Sequence, residues 1–294
     1  MHEHGHNRSY QGMKIAFFLN LFFTIIEIAG GFYTNSISII SDAVHDMGDT
    51  LSLGAALLLE IISTAGRDNR STYGYKRFSL LGALFTSIVL LAGSVYIFYE
   101  AIPRLARPEP VQSVGMMVLA VTGVVINFTA FMQLQGGKKI SENLVMLHLL
   151  EDVLGWGAVL VVSILIHFNS GLIILDPILS VLITIYIISR IFPNLKNTLK
   201  VFMQFMPEGQ DLQEIVKLVE GSSGHIRNVH DVHLWTLDGS YMIFSAHVVL
   251  DGNPDLVLVE SIKSGIRARL RERGIEHVTL EVEHGNENAA GCDL

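Results

Sequence analysis

Residues 37–62 read ISIISDAVHDMGDTLSLGAALLLEII, and the class of the whole chain turns on this stretch. It is apolar over more than the roughly 20 residues a helix needs to cross the hydrocarbon core of a bilayer. Yet Asp42, His45, Asp46 and Asp49 stand inside it at offsets of zero, three, four and seven, which aligns them along one helical face. An ionisable side chain at mid-bilayer costs about 2.5–3.5 kcal/mol on insertion scales. A spanning helix that carries several of them on one face is expected to use them.

Working outward, the same apolar character recurs. The chain has 294 residues, 50% of them hydrophobic and 16% charged, against roughly 25% charged in soluble domains, and its mean hydropathy is +0.45. Six segments are long enough to span: Met13–Tyr33, Ile37–Ile62, Ser79–Ile102, Ser113–Leu134, Leu144–Phe168 and Gly171–Phe192. After Pro193 charges return and alternating patterns replace apolar blocks. The expected organisation is a His-containing tail (1–12), a six-helix transmembrane domain (13–200), a soluble domain (207–284) and a polar tail (285–294).

Basic residues set the expected orientation. Arg8, Lys14, Arg67, Arg70, Lys76, Arg77, Lys138, Lys139, Arg190, Lys196 and Lys200 fall on one side if six spans alternate, and only Arg104 and Arg107 on the other. Both termini should therefore face the cytoplasm. The N-terminus is polar and His-rich, unlike a cleavable signal. Net charge −8 excludes the basic stripe of a nucleic-acid binder. The single Cys292 permits no internal disulfide.

The C-terminal part reads as a small α+β domain. Gly209–Glu220 has helical spacing, with Leu212, Ile215, Val216 and Val219 on one face. Val229–Leu237 and Tyr241–Leu250 are rich in β-formers, with a turn over Leu237–Ser240. A helix follows from Asn253 or Pro254 to about Gly274, and His277–Glu283 alternates as a last strand. The order αββαβ implies a sheet with helices on one face.

Two HxxxD pairs carry the chemistry. His45 and Asp49 share a face of the second span, and His148 and Asp152 share a face of the fifth, which runs the opposite way. Asp49 and Asp152 lie near the middle of their spans, so the pairs can meet at similar depth. Zinc takes four tetrahedral ligands from such residues. Two neutral imidazoles and two carboxylates sum to minus two, which a divalent cation neutralises in a low-dielectric setting. Without the ion, two like charges repel at short range and a proton relieves the repulsion, so metal and protons compete for the same atoms. The bland alternative is a set of interhelical hydrogen bonds or a bare proton path.

The same residues resemble a known family. Ser41-Asp42-Ala43-Val44-His45 through Asp49, with Ser52-Leu53, is similar to the second-span signature of the cation diffusion facilitators. Asn20, Glu27 and Gly31 resemble its first-span pattern. Thr72-Tyr73-Gly74-Tyr75 with Leu81-Gly82-Ala83-Leu84 resembles its entry to the third span, Asn127 its fourth-span Asn, and Asp176-Pro177-Ile178 its sixth-span opening. His230-Asp231-Val232-His233-Leu234-Trp235 resembles its cytoplasmic strand.

The resemblance implies a homodimeric, proton-coupled exporter with six spans and a ferredoxin-like cytoplasmic domain. His45, Asp49, His148 and Asp152 would form its transport site, and His in both pairs is similar to zinc-preferring members. Cadmium, cobalt and iron are further candidate cargoes. Two departures stand out. Ser63–Phe78, where some relatives hold a second metal site, has Asp68 but no His, with Lys76 where many have His; and Gln135–Asn143 is too short for a His-rich loop. The first speaks against that second metal site, and the second points to a prokaryotic type, in the plasma membrane.

In the soluble domain His230, His247, Glu281 and Glu283 resemble positions where relatives bind regulatory metal, with His233, His277 and His284 as substitutes. The strand alternation sets His247 and Glu281 opposite the apolar residues Phe244, Ala246 and Val248, and Val278, Leu280 and Val282; the alternative is a solvated sheet face. His2, His4 and His6 either collect metal weakly or are idle. Glu27 and Asp42 read as buried acids in interhelical hydrogen bonds. Asp46 and Glu151 each point about 100° from a proposed ligand; they line an entry path, face a second subunit, or pair with a basic residue. Two rivals from other classes remain. A membrane metalloenzyme needs an open coordination position; GxSxG is absent, and the HExxH spacing occurs only at His2-Glu3-His4-Gly5-His6 in the polar N-terminal tail, outside the spanning segments. A membrane metal sensor would signal through the soluble domain and move nothing.

Overall fold

A computed structural model describes residues 3–63, 67–134, 140–252 and 254–284. The side chains of 140–148, and so that of His148, lie outside the described set, as do Cys292 and the N-terminal histidine side chains. The chain divides into two compact units, one formed by residues 1–65 and 81–195, the other by 66–80 and 196–294.

The first unit is a helical bundle of α1 (Glu3–Thr34), α2 (Ile37–Ser63), α3 (Phe78–Ala106), α4 (Ser113–Leu134), α5 (Ile140–Phe168) and α6 (Leu175–Phe202). Five of these, α1, α3, α4, α5 and α6, are long and apolar enough to cross a membrane by composition alone. α2 has 27 residues, ample for a span at 1.5 Å per residue, but it holds the acids. Large apolar side chains such as Phe22 and Ile25 of α1, Phe85 and Ile88 of α3, and Val118 and Val125 of α4 are exposed. On a soluble protein such a surface would aggregate; against lipid it is the favoured one.

α2 packs on four neighbours. Asn20 of α1 donates to the Asp46 carbonyl and to Thr50 Oγ1 at 3.3 and 3.0 Å. Gly48 and Gly93 let α2 and α3 close up, Gly48 under Leu90 and Gly93 over Val44. Ser41 Oγ lies 3.0 Å from Thr184 Oγ1 of α6, and Gly155 of α5 faces the Asp42 carboxylate. Small residues and hydroxyls at helix contacts suit a membrane bundle, where the hydrophobic effect gives no drive between helices.

The start of α2 is tied down by α6. The fully buried Asp176 accepts from Ser36 Oγ and Ser38 Oγ, both at 2.6 Å, and from the backbone N–H of Ile37 and Ser38 at 2.9 and 3.3 Å. The orphan donors of a helix N-terminus and a carboxylate satisfy each other there.

α6 runs through Pro193 to Phe202, past the expected end at Phe192. One lost backbone bond at the proline does not end it. The helix ends where Gln204 takes φ +58 and the Phe205 N–H bonds back to the Lys200 carbonyl at 3.0 Å, a left-handed cap. α1 likewise starts at Glu3, well before the expected Met13.

The second unit carries α7 (Leu212–Glu220), β1 (Ile226–Thr236), β2 (Met242–Leu250), α8 (Leu256–Glu272) and β3 (Ile275–His284). The order β1-β2-β3 pairs β1 and β2 antiparallel and β2 and β3 parallel, as αββαβ requires. Asp211 and Asp255 cap the two helices through their side chains, so α8 starts after Asp255, not at Asn253 or Pro254. Ile215, Val219, Phe244, Ala246, Val248, Ile262, Ile266 and Leu270 form the core between helices and sheet.

Two substitutions test this packing. In α4, a Cβ on Gly123 would collide with the fully buried Trp156 of α5, whereas one on Gly157 meets nothing within 4 Å. Gly123→Ala is expected to cost about 1–3 kcal/mol and Gly157→Ala little, read as thermal unfolding in detergent. Asp176→Ala strands the α2 donors and is expected to cost about 2–3 kcal/mol in the same measurement.

Candidate metal centres

In the bundle, α2 delivers one imidazole and two acids to one place. His45 Nδ1 lies 3.4 Å from Asp46 Oδ1 and 3.4 Å from Asp49 Oδ2. Two ligand atoms about 2.0–2.1 Å from a tetrahedral zinc stand roughly 3.3 Å apart, so these separations suit shared ligation, and the Asp46 contact is also a long hydrogen bond. α5 brings Asp152 to the same point: His45, Asp46 and Asp152 each offer a ligand atom, all within 4.8 Å of one another. Asp49 joins the group through His45. His148 lies on α5 one turn before Asp152, with its side chain outside the described residues.

Asp46 is the addition that the sequence left open. It is 11% exposed and belongs to the cluster, instead of pairing with a basic side chain. A 100° step separates it from His45 around the helix, but the approach of α5 brings Asp152 within reach of both. Its offset of four from Asp42 was the available signal. Glu151, the other unsettled acid, does pair with a basic residue: Arg190 Nη2 of α6 lies 3.2 Å from its Oε2. Glu27 of α1 is fully buried, and among the described residues neither of its oxygens has a partner in hydrogen-bonding geometry; its acidic neighbours are Asp46, Asp42 and Asp152. Acids from α1, α2 and α5 thus gather around one volume inside the bundle, a concentration of negative charge that calls for cations.

The soluble domain holds a second cluster on the face of the sheet away from its helices. The register pairs His230 with His247, and His247 with Glu281. Glu283 reaches back to both histidines, 2.6 Å from His247 Nδ1 and 3.5 Å from His230 Nε2. His230, His247 and Glu283 offer three ligand atoms within 4.8 Å. Among the described residues neither of the buried ring nitrogens of His230 has a partner in hydrogen-bonding geometry, Glu283 standing just beyond it, a costly arrangement that a metal would relieve. Glu281 comes within 3.5 Å of His247 Nε2 but is 69% exposed, at the rim of the cluster.

Asp231 is a member that sequence reasoning did not find. The β1–β2 register slips between His230 and His233, and Asp231 there takes φ +48, a bulge that turns its side chain to the same face. Its two oxygens stand 2.9 Å from His233 Nε2 and 3.5 Å from His247 Nε2. A bulge has no reliable sequence mark, so strict alternation hid it. Of the substitutes, His233 is tied to Asp231, and His277 packs edge-on against Tyr73 at 5.6 Å between ring centroids.

Six long helices, five of them plainly apolar, an acid- and imidazole-lined interior and a small αββαβ unit define a membrane carrier of cations with a soluble appendage. Residues 13–203 match the family model described as the cation efflux transmembrane domain, and residues 207–285 match the cation efflux protein cytoplasmic domain. The chain belongs to the cation efflux family. It is 32% identical to the cadmium, cobalt and zinc/H(+)-K(+) antiporter of Bacillus subtilis, over 99% of this chain and 95% of the other. It is 34% identical to the metal cation efflux system protein CzcD of Cupriavidus metallidurans, over 96% and 89%. With the zinc transporter ZitB of Escherichia coli it shares 29% identity, over 100% and 96%.

Glu283 links both histidines of the soluble cluster, so Glu283→Gln is expected to weaken zinc binding to that cluster at least about tenfold, measured by calorimetry on the full-length protein with the bundle site held in its Asp49→Ala, Asp152→Ala form.

Proposed function

We propose that this protein exports zinc from the cytoplasm in exchange for protons, through a site made by His45, Asp49, His148 and Asp152 with Asp46 beside them. The observation that carries the reading is the meeting of α2 and α5 side chains, His45, Asp46 and Asp152, at ligand spacing inside a bundle of membrane-crossing helices. The printed names of the relatives, which include zinc, cadmium and cobalt antiporters, support the choice of cargo, with cadmium and cobalt as second substrates.

The chemistry follows from charge. A zinc ion leaves its hydration shell for two imidazoles and two carboxylates, and the sum of charges falls to zero. Asp46 adds a third carboxylate next to the ion, an excess negative charge that a single proton on the cluster cancels. When the bundle rocks to open the site outward, protons from that side compete for the carboxylates and the imidazoles, and the metal leaves. Protonated, the empty site carries less negative charge and can return across the membrane at lower cost. The carrier works as a homodimer in the plasma membrane of a prokaryotic cell, with both termini in the cytoplasm, where the loop arginines and lysines lie. Metal at His230, His247 and Glu283 stiffens the soluble domain and biases the bundle; a coupling of about 1–3 kcal/mol is enough.

The test is a dye-flux assay with purified full-length protein in liposomes, comparing zinc, cadmium, cobalt and manganese, with and without an imposed proton gradient. Zinc flux should rise when the far side is acid, and Asp49→Ala or Asp152→Ala should lower it at least about a hundredfold. Wild-type flux in either variant, or flux blind to the gradient, would refute the site or the coupling respectively.

A further inference from the structure

The connection between α2 and α3 belongs with the soluble unit, not with the bundle. It is also stiff. The Asp68 carboxylate accepts from the Tyr75 hydroxyl at 2.7 Å and from the backbone N–H groups of Ser71 and Arg70 at 2.6 and 2.8 Å. The Tyr75 hydroxyl, then those two N–H groups, hold that carboxyl below its ordinary range. Lys76 sets its ammonium 3.7 Å over the ring of Tyr241, and Tyr73 packs on His277.

These contacts use the one acid of the loop, Asp68, and leave two arginines beside a cavity. Its volume is about 390 Å³. Arg70, Arg77, Tyr73, Phe78, Gln204 and Trp235 line it, and among the described residues no carboxylate does. Phe78 is also the first residue of the membrane-crossing stretch of α3, so the wall of the cavity continues directly into a span. The lining therefore combines two guanidinium forks, suited to bidentate phosphate recognition, with partly exposed aromatic rings of the kind that settle at headgroup level.

We propose that this cavity binds the phosphate headgroup of an anionic phospholipid from the leaflet on the soluble-domain side. The occupant is a lipid because Phe78, part of the cavity lining, is the residue at which a span begins, and it is anionic because two positive charges and, among the described residues, no negative one line the cavity. The bound headgroup bridges Arg70 in the loop and Arg77 at the foot of α3, and so steadies the one segment of the soluble unit that leads straight into α2 and α3. Nothing in this site involves the proposed metal ligands, and it stands whether or not zinc is the cargo.

Native mass spectrometry of the full-length protein in detergent tests it, with phosphatidylglycerol and phosphatidylcholine as probes and inorganic phosphate as competitor. Wild-type protein should retain phosphatidylglycerol over phosphatidylcholine. Each basic side chain at a membrane surface contributes about a fivefold preference for anionic lipid, so Arg70→Gln with Arg77→Gln should weaken retention about 30-fold. Arg70→Lys with Arg77→Lys, which keeps the charge and loses the fork, should hold most of it. Inorganic phosphate at the same concentration should displace none. Thermal unfolding of each variant separates loss of the site from loss of the fold, and if the Gln pair unfolds, the Lys pair and the single variants carry the comparison. Equal retention of the two lipids by wild-type protein, retention by a folded Gln pair equal to wild type, or displacement by inorganic phosphate would each overturn the proposal.

Discussion

One buried carboxylate sets where the second helix begins. Asp176, at the start of α6, takes four hydrogen bonds from Ser36, Ile37 and Ser38 at the start of α2. A helix in a bilayer can slide and rotate at small cost unless something polar pins it, because lipid is as good a neighbour as another apolar helix. This pin fixes both. Counting from it, His45, Asp46 and Asp49 fall two to three turns into the bundle, at the level where α5 supplies Asp152.

The acids in the bundle make a second constraint that depends on the first. Glu27, Asp42, Asp46 and Asp152 come from three helices into one region, and among the described residues neither Glu27 oxygen has a partner in hydrogen-bonding geometry. Such a set would be destabilising in a protein that only needed to fold. Polar ties elsewhere offset the cost: Asn20 to Thr50, Ser41 to Thr184, and small residues such as Gly48 and Gly123 that let helices approach. The proposed exchange of metal for protons would make use of this unfavourable charge, since either cation relieves it and neither needs to stay.

The soluble unit repeats the theme with different means. Its sheet face gathers histidines and acids by cross-strand register, and the bulge at Asp231 adds a carboxylate that regular alternation would have sent into the core. The loop between α2 and α3 joins this unit through Tyr73 on His277 and Lys76 on Tyr241. A change in the sheet, such as metal bridging β1 and β3 through His230 and Glu283, has in that loop a short covalent route towards the helix that carries His45.

Several features were legible in the residues alone because each rests on a local rule. The apolar segments follow from the thickness of the bilayer, the shared face of His45 and Asp49 from helical period, and the αββαβ order from alternation and turn residues. The ends of α1 and α6 were not, since a proline costs one bond while helix ends are decided by caps such as Gln204. The roles of Asp46, Asp231 and Asp176 were decided only in three dimensions. Each depends on which neighbour arrives from far along the chain: Asp152 for the first, His247 for the second, Ser36 and Ser38 for the third. Periodicity states which way a side chain points from its own backbone, and only packing decides what stands there to meet it.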